Sequence, residues 1–145
     1  MAGDTAVSGQ QAGGAVMRDV VVLQLPADGA YLSVLRTATA GLASRLDFTL
    51  DDIEDLRIAV DEACAMLLSH AVAGADLTCQ FELHEALLSI AVSVPTSDGE
   101  QPSRDTFAWT VLSALAGEVD SSVDDDNCVT ITLQKRRLDR SSSAA

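Results

Sequence analysis

The sequence has few aromatic residues and no long apolar run. Three Phe, one Trp and one Tyr in 145 residues mean that aliphatic side chains must build most of the core. The apolar runs are much shorter than the about 20 residues that span a bilayer, which argues against a membrane protein. The N-terminus has no basic start followed by an apolar block and a small-residue cleavage site. The cytoplasm is therefore the expected compartment.

Basic residues are also scarce. Nine Lys and Arg face 22 Asp and Glu, which gives a formal net charge of −13. Binding to a phosphate backbone requires clustered basic side chains, so the composition argues against a nucleic-acid ligand. Two interpretations of the acidic surface remain. It maintains solubility, or it steers the protein toward the basic surfaces of DNA-binding proteins.

The three cysteines form no recognisable metal or disulfide pattern. Cys64, Cys79 and Cys128 are widely spaced, with no Cys-x-x-Cys and no nearby histidine pair. This spacing argues against a zinc site or a disulfide framework and favours small core residues. His70 and His84 have no nucleophile or metal-ligand partner close to them in the sequence. The sequence therefore predicts no metal-binding residue.

The stretch from Asp51 to His70 predicts a helix with one buried face. Thr49 can cap its N-terminus, and acidic residues in the first turn suit the positive end of the helix dipole. Glu62 points almost opposite the apolar stripe, so one carboxylate lies on a face that does not pack on the main core. The stripe consists of Ile53, Leu56, Val60, Cys64 and Leu67.

The remaining chain predicts a single α+β domain over residues 19–136, between flexible tails at 1–18 and 137–145. In order, we expect a strand, a helix, the Asp51–His70 helix, a hairpin, a third helix and one or two strands. This order predicts a two-layer α/β sandwich, with helices on one face of a mainly antiparallel sheet. In the third helix, over 107–116, we expect Phe107, Val111 and Leu115 to be buried and Trp109 to lie off that line.

One run resembles a known family. The sequence LRIAVDEA, residues 56–63, looks like the N box of the GHKL ATPase superfamily, in particular the RsbW-type anti-sigma factors and serine kinases. The resemblance extends from about Val20 to Lys135 and implies the Bergerat ATP-binding fold. Glu62 matches the family's catalytic glutamate. Met66 stands where the family has an asparagine that ligates Mg²⁺, and a thioether is a poor substitute because Mg²⁺ requires oxygen ligands.

The family's two glycine-rich nucleotide motifs are not matched either. After the hairpin the chain has PTSDGEQ, residues 95–101, in which Asp98 is the candidate for the adenine-reading aspartate. Before the third helix, Asp105 lies where a glycine-rich turn would hold phosphates, and its charge would repel them. ATP and Mg²⁺, the family's cofactors, are therefore expected to be lost or weakly bound. Glu62 would be catalytic only in an active enzyme; otherwise it is a solvated or partner-contacting carboxylate.

Three functions follow from these observations. The resemblance implies an anti-sigma factor that sequesters an RNA polymerase sigma factor and is released by an anti-anti-sigma (STAS) protein. It also allows an active serine kinase that phosphorylates this antagonist. A STAS-like signalling platform without catalysis is the third alternative. By resemblance to the family's partner surface, Arg36 and Arg45 are the predicted partner contacts. The sequence leaves open whether the protein is a homodimer.

Overall fold

The structure is a computed structural model that describes residues 18–138. Its elements confirm the predicted order, with two strands after the last helix. The predicted tails lie outside the described residues, except for Arg18, Arg137 and Leu138. The elements are β1 (Arg18–Pro26), a 3₁₀ turn (Gly29–Tyr31), α1 (Leu32–Arg45), α2 (Leu50–Leu68), β2 (Asp76–His84), β3 (Leu87–Pro95), α3 (Phe107–Ala116), β4 (Glu118–Val123) and β5 (Cys128–Arg136).

The five strands form one antiparallel sheet in the order β1-β2-β3-β5-β4. Across the β2–β3 hairpin Phe81 pairs with Ile90, and across β3 and β5 Val92 pairs with Ile131. Since side chains alternate along a strand, these pairs lie on the same face of the sheet. The strand residues predicted to be buried are all at most 1% exposed, which confirms the predicted register: Leu77, Cys79, Phe81, Ile90, Val92 and Ile131.

The three helices cover that apolar face, and α2 is the central one. It packs against α1 on one side and α3 on the other, and it contacts β3 and β5 beneath it. The prediction of an α+β sandwich with helices on one face of an antiparallel sheet is confirmed. Within residues 18–138, none of the helices combines the length and the apolar character needed to cross a bilayer. The buried residues of α2 are Leu56, Ala59, Val60, Ala63, Cys64 and Leu67.

The predicted buried face of α3 was wrong. Phe107 is 83% exposed, whereas Trp109 is 7% exposed and Leu112 and Ala116 are fully buried. The spacing of these three buried residues is as helical as that of the predicted set, so periodicity alone could not choose between the two faces. The deciding factor is tertiary, because α3 packs against α2, β4 and β5, and the face of Trp109, Leu112 and Ala116 is the one that is buried. The guanidinium of Arg104 lies 4.9 Å from the centroid of the Trp109 ring.

Two of the three cysteines are core residues, as predicted. Cys64 on α2 and Cys79 on β2 are fully buried. Cys128, at the start of β5, is only half-buried, because it alternates with the inward-facing Val129 and so lies on the other side of the sheet.

Candidate functional site

Glu62 lies on the outer side of α2, the helix that packs between α1 and α3. Thr49 caps this helix as predicted, and its hydroxyl accepts a hydrogen bond from the backbone N–H of Asp52 at 3.1 Å. Because the opposite face of α2 is buried on the sheet, Glu62 and its neighbour Asp61 remain half-exposed. Glu62 is therefore accessible to a ligand or a partner, in agreement with the predicted orientation of its side chain.

Met66, one turn after Glu62, is half-buried and packs against the hydrophobic core. Its backbone carbonyl accepts a hydrogen bond from the Ser69 hydroxyl at 2.9 Å. Its side chain offers only a thioether, which is a weak acceptor and not a ligand that Mg²⁺ selects. This position therefore contributes packing in place of the oxygen ligand that the family's asparagine supplies.

The loop after β3 is folded against the turn between β4 and β5. The hydroxyl of Thr96, a residue that is 5% exposed, donates to the carbonyl oxygen of Asn127 at 2.7 Å. The same hydroxyl accepts the N–H of Gly99 at 2.8 Å. Asp98 is exposed, and its carboxylate accepts the N–H of Glu100 at 3.0 Å. Two of the loop's backbone donors are thus already bonded within the protein.

The glycine of this loop, Gly99, lies where the chain conformation and a close neighbour leave no room for a side chain. Its φ of +69° favours glycine, and a Cβ built there would lie 2.6 Å from the side-chain oxygen of Asn127. In a nucleotide-binding loop, glycine allows the ligand to approach the backbone closely. Here the close approach is made by Asn127. The glycine is therefore required by the internal packing of the loop.

The N-terminus of α3 is capped by its own chain. The hydroxyl of Thr106 accepts the N–H of Trp109 at 3.1 Å, and Asp105 is exposed just before it. Arg104 pairs with Asp120 on β4 at 2.7 Å. Hydrogen bonding from Arg104 lowers the pKa of the Asp120 carboxyl. In place of the family's second glycine motif, this segment thus contains an acidic residue, a helix-capping threonine and an arginine in an ion pair.

The predicted partner contacts on α1 lie in different environments. Arg36 is held between helices, since one guanidinium nitrogen donates to both carboxylate oxygens of Asp61 at 2.9 and 3.1 Å. Arg45 is exposed in the last turn of α1 and lines a cavity of about 360 Å³ beside Leu46 and His84. Arg36 therefore lies close to Glu62, because its partner Asp61 directly precedes Glu62 on α2. Among residues 18–138, no hydrogen bond or ion pair joins Glu62 to Asp98 or Arg45, and the roles of all four residues stay predictions.

Known proteins resemble this chain in sequence. Over 82 residues it is 42% identical to the serine-protein kinase RsbW of Listeria monocytogenes serotype 4a (strain HCC23), a match that covers 54% of this chain and 52% of the Listeria protein. Over 90 residues it is 36% identical to the serine-protein kinase RsbW of Halalkalibacterium halodurans, covering 61% and 54% of the two chains. The chain is similar in sequence to RsbW-type proteins over this part of its length. The predicted family resemblance is thereby confirmed, although the match spans only about half the length of these curated relatives.

The fold agrees with this relationship. The crystal structure of the RsbU and RsbW domains of Rv1364c from Mycobacterium tuberculosis matches 82% of this chain and 32% of that one, with a TM-score of 0.62 and 15% identity. At this identity the match supports the shared fold alone. No protein-family model matches the chain.

The residues at the nucleotide positions do not fit the family's Mg-ATP. The position of the metal-binding asparagine holds Met66, and the glycine of the first loop is packed against Asn127. The acidic Asp105 precedes the helix whose N-terminus would face phosphates. Glu62 remains accessible, and phosphoryl transfer depends on metal and phosphate ligands as well as on a base.

The sequence pattern does not point to Asp61, Thr96 or Asn127. Asp61 directly precedes Glu62 on α2, and its partner Arg36 lies in another helix. Thr96 and Asn127 meet only because β3 and β5 are neighbours in the sheet. No local spacing signals such contacts. The burial of a threonine in a polar loop is apparent only in the folded chain.

Proposed function

We propose that this protein is an RsbW-type anti-sigma factor that binds an RNA polymerase sigma factor without using nucleotide. Its sequence relatives, which are named RsbW, support this role, and the structural match supports the shared fold. The observation that carries the proposal is the packed loop at Thr96, Gly99 and Asn127, in which the Thr96 hydroxyl bonds the Asn127 carbonyl and the Gly99 N–H, and Gly99 packs against the Asn127 side chain. The binding unit is the domain over residues 19–136, and it works in the cytoplasm.

The partner surface is α1 and its flanks, with Arg36 and Arg45 as polar contacts. Exposed apolar side chains lie on the same segment: Tyr31 is 44% exposed and Val34 is 43% exposed. Together they provide the mixture of apolar area and charge that is common in protein interfaces. The net charge of −13 would accelerate encounter with a basic partner, because electrostatic steering mainly raises association rates.

Release of the sigma factor follows from competition. An anti-anti-sigma protein that binds the same or an overlapping surface displaces the sigma factor through its own affinity, with no phosphorylation step. Since each partner binds the free surface, the ratio of the two affinities and concentrations sets the fraction of released sigma factor. Nucleotide should not change this ratio.

An active serine kinase is the second candidate, because the sequence relatives are named serine-protein kinases. Glu62 would then be the general base that accepts the proton of the antagonist's serine hydroxyl. Incubation of the protein with labelled ATP, Mg²⁺ and a STAS-domain antagonist tests this role. Label on the antagonist that disappears in the Glu62→Gln variant would establish the kinase.

The proposed function is tested with purified proteins. Each RNA polymerase sigma factor of the source cell is mixed with the full chain and analysed by size-exclusion chromatography, with and without a candidate STAS protein and in the absence of nucleotide. We expect a stable complex with at least one sigma factor and its dissociation by one STAS protein. Failure of every sigma factor to bind, together with binding of a different partner, would overturn the proposal.

A further inference from the structure

Three potential metal ligands that are distant in the sequence meet beside the end of α2. His70 follows the helix, and Asp98 and Glu100 lie in the loop after β3. One ligand atom from each of these side chains lies within 4.8 Å of the other two. All three residues are exposed, so an ion can reach them from solvent. Residue spacing does not signal this arrangement, because no histidine or acidic residue adjoins His70 in the chain.

Backbone contacts hold the two segments together. The N–H of Val72 donates to the carbonyl oxygen of Pro95 at 3.0 Å, and Ala71 forms an antiparallel bridge with Thr96. The loop is fixed in turn by the hydrogen bonds of Thr96 to Asn127 and Gly99. These contacts hold the two segments in place without the His70 or Glu100 side chains, and the Asp98 carboxylate additionally accepts the N–H of Glu100. Binding a metal ion would require rotation of the three exposed side chains, with one Asp98 oxygen free for the ion.

We propose that His70, Asp98 and Glu100 form a binding site for a divalent transition-metal ion, of which Zn²⁺ is the best match. An imidazole with two carboxylates suits Zn²⁺, whereas Mg²⁺ and Ca²⁺ select oxygen ligands alone. Zinc lies about 2.0–2.2 Å from nitrogen and oxygen ligands, so the three groups would draw closer around it. Three protein ligands leave one tetrahedral position for water.

This site is separate from the Mg²⁺ site of the family, which depends on the position of Met66. It uses neither Glu62 nor a nucleotide. Its two carboxylates balance the charge of the ion when the histidine is neutral. The bound ion would cross-link the loop at Asp98 and Glu100 to the end of α2, in addition to the backbone hydrogen bonds that already join these segments.

The full chain is titrated with Zn²⁺, and binding is measured by calorimetry and by NMR of the imidazole groups. The chain has only two histidines, so the two imidazole signals can be assigned with single variants. The test variants are His70→Ala and Asp98→Asn. The matched controls are His84→Ala, which removes the other imidazole, and Cys128→Ser, which removes the half-exposed thiol.

We expect one Zn²⁺ per chain, with perturbation of the His70 signal and no change at His84. His70→Ala should weaken binding by about 100-fold or more, since even groups outside the coordination shell are worth about 10- to 100-fold. Asp98→Asn should weaken it as well, and both controls should bind like the native chain. The proposal is overturned if no saturable binding occurs, if His70→Ala binds normally, or if His84→Ala or Cys128→Ser abolishes binding.

Discussion

One guanidinium nitrogen of Arg36 on α1 donates hydrogen bonds to both carboxylate oxygens of Asp61 on α2. The ion pair connects α1 to α2 beside Glu62, because Asp61 directly precedes Glu62 on the accessible side of α2. The residue predicted to contact a partner is therefore already engaged in the unbound protein. A partner that recruits Arg36 must compete with Asp61, or it must bind the pair as a unit.

Replacing Arg36 with Ala should weaken sigma-factor binding while leaving the domain folded. The two side chains are 35% and 36% exposed, so their ion pair should contribute at most about 1 kcal/mol to stability. A charge that becomes desolvated in the complex costs about 2–5 kcal/mol of binding energy when it is removed. Calorimetric affinity and thermal unfolding measure the two effects, and Asp61→Ala is the control that breaks the same pair. Unchanged affinity in Arg36→Ala would place the partner surface elsewhere.

Gly99→Ala should destabilise the protein, and Gly41→Ala should stabilise it. At Gly99, an alanine meets both the φ of +69° and the side chain of Asn127, and strain of this kind costs about 1–3 kcal/mol. At Gly41, within α1, a Cβ has nothing within 4 Å, and alanine is favoured in helices by about 1 kcal/mol. Urea unfolding of the two variants gives the comparison. Equal stability of both variants would show that the loop does not need its glycine.

The exposed Phe107 and the buried Trp109 should respond very differently to truncation. Trp109→Ala removes a large core side chain and should cost about 3–5 kcal/mol of unfolding free energy. Phe107→Ser changes a side chain that is 83% exposed and should alter stability by no more than about 0.5 kcal/mol. Chemical denaturation of both variants measures the difference. A larger loss for Phe107→Ser than for Trp109→Ala would restore the helix face predicted from the sequence.

The three thiols should differ in reactivity toward iodoacetamide at pH 8. Burial raises the pKa of Cys64 to about 12 and raises the pKa of Cys79 beyond the range of ordinary thiols. Partial burial, with Asp124 and Asp126 nearby, raises the pKa of Cys128. Because the thiolate is the reactive form, Cys64 and Cys79 should stay unmodified in the folded chain and Cys128 should react slowly. Mass spectrometry after brief exposure to iodoacetamide measures the modification of each thiol. In urea, all three thiols should react. Rapid modification of Cys64 or Cys79 in the folded chain would contradict their burial.

Strand β2 was predictable because it alternates strictly between apolar and polar residues. Leu77, Cys79 and Phe81 show this pattern, and a register shift by one residue would have exposed all of them. The buried face of α3 was not predictable, since two helical faces carry apolar residues and only the packing of α3 against α2, β4 and β5 distinguishes them. Local patterns report which face can be buried, and tertiary contacts decide which face is buried.

The candidate site was predictable only where it depends on a single helix. The position of Glu62 on the outer side of α2 follows from helical periodicity. The Arg36–Asp61 pair, the packing of Gly99 against Asn127 and the meeting of His70 with Asp98 each join segments that are far apart in the chain. Their geometry depends on the order of strands and helices, which residue spacing does not contain.

Calorimetric titration with nucleotide is the decisive test of whether the protein works by binding a partner without Mg-ATP. The full chain is titrated with Mg-ATP and with Mg-ADP in separate experiments, in buffer free of transition metals. We predict no binding tighter than the high-micromolar range, or about −5 to −6 kcal/mol. A low-micromolar dissociation constant for either nucleotide would contradict the account and favour the serine kinase.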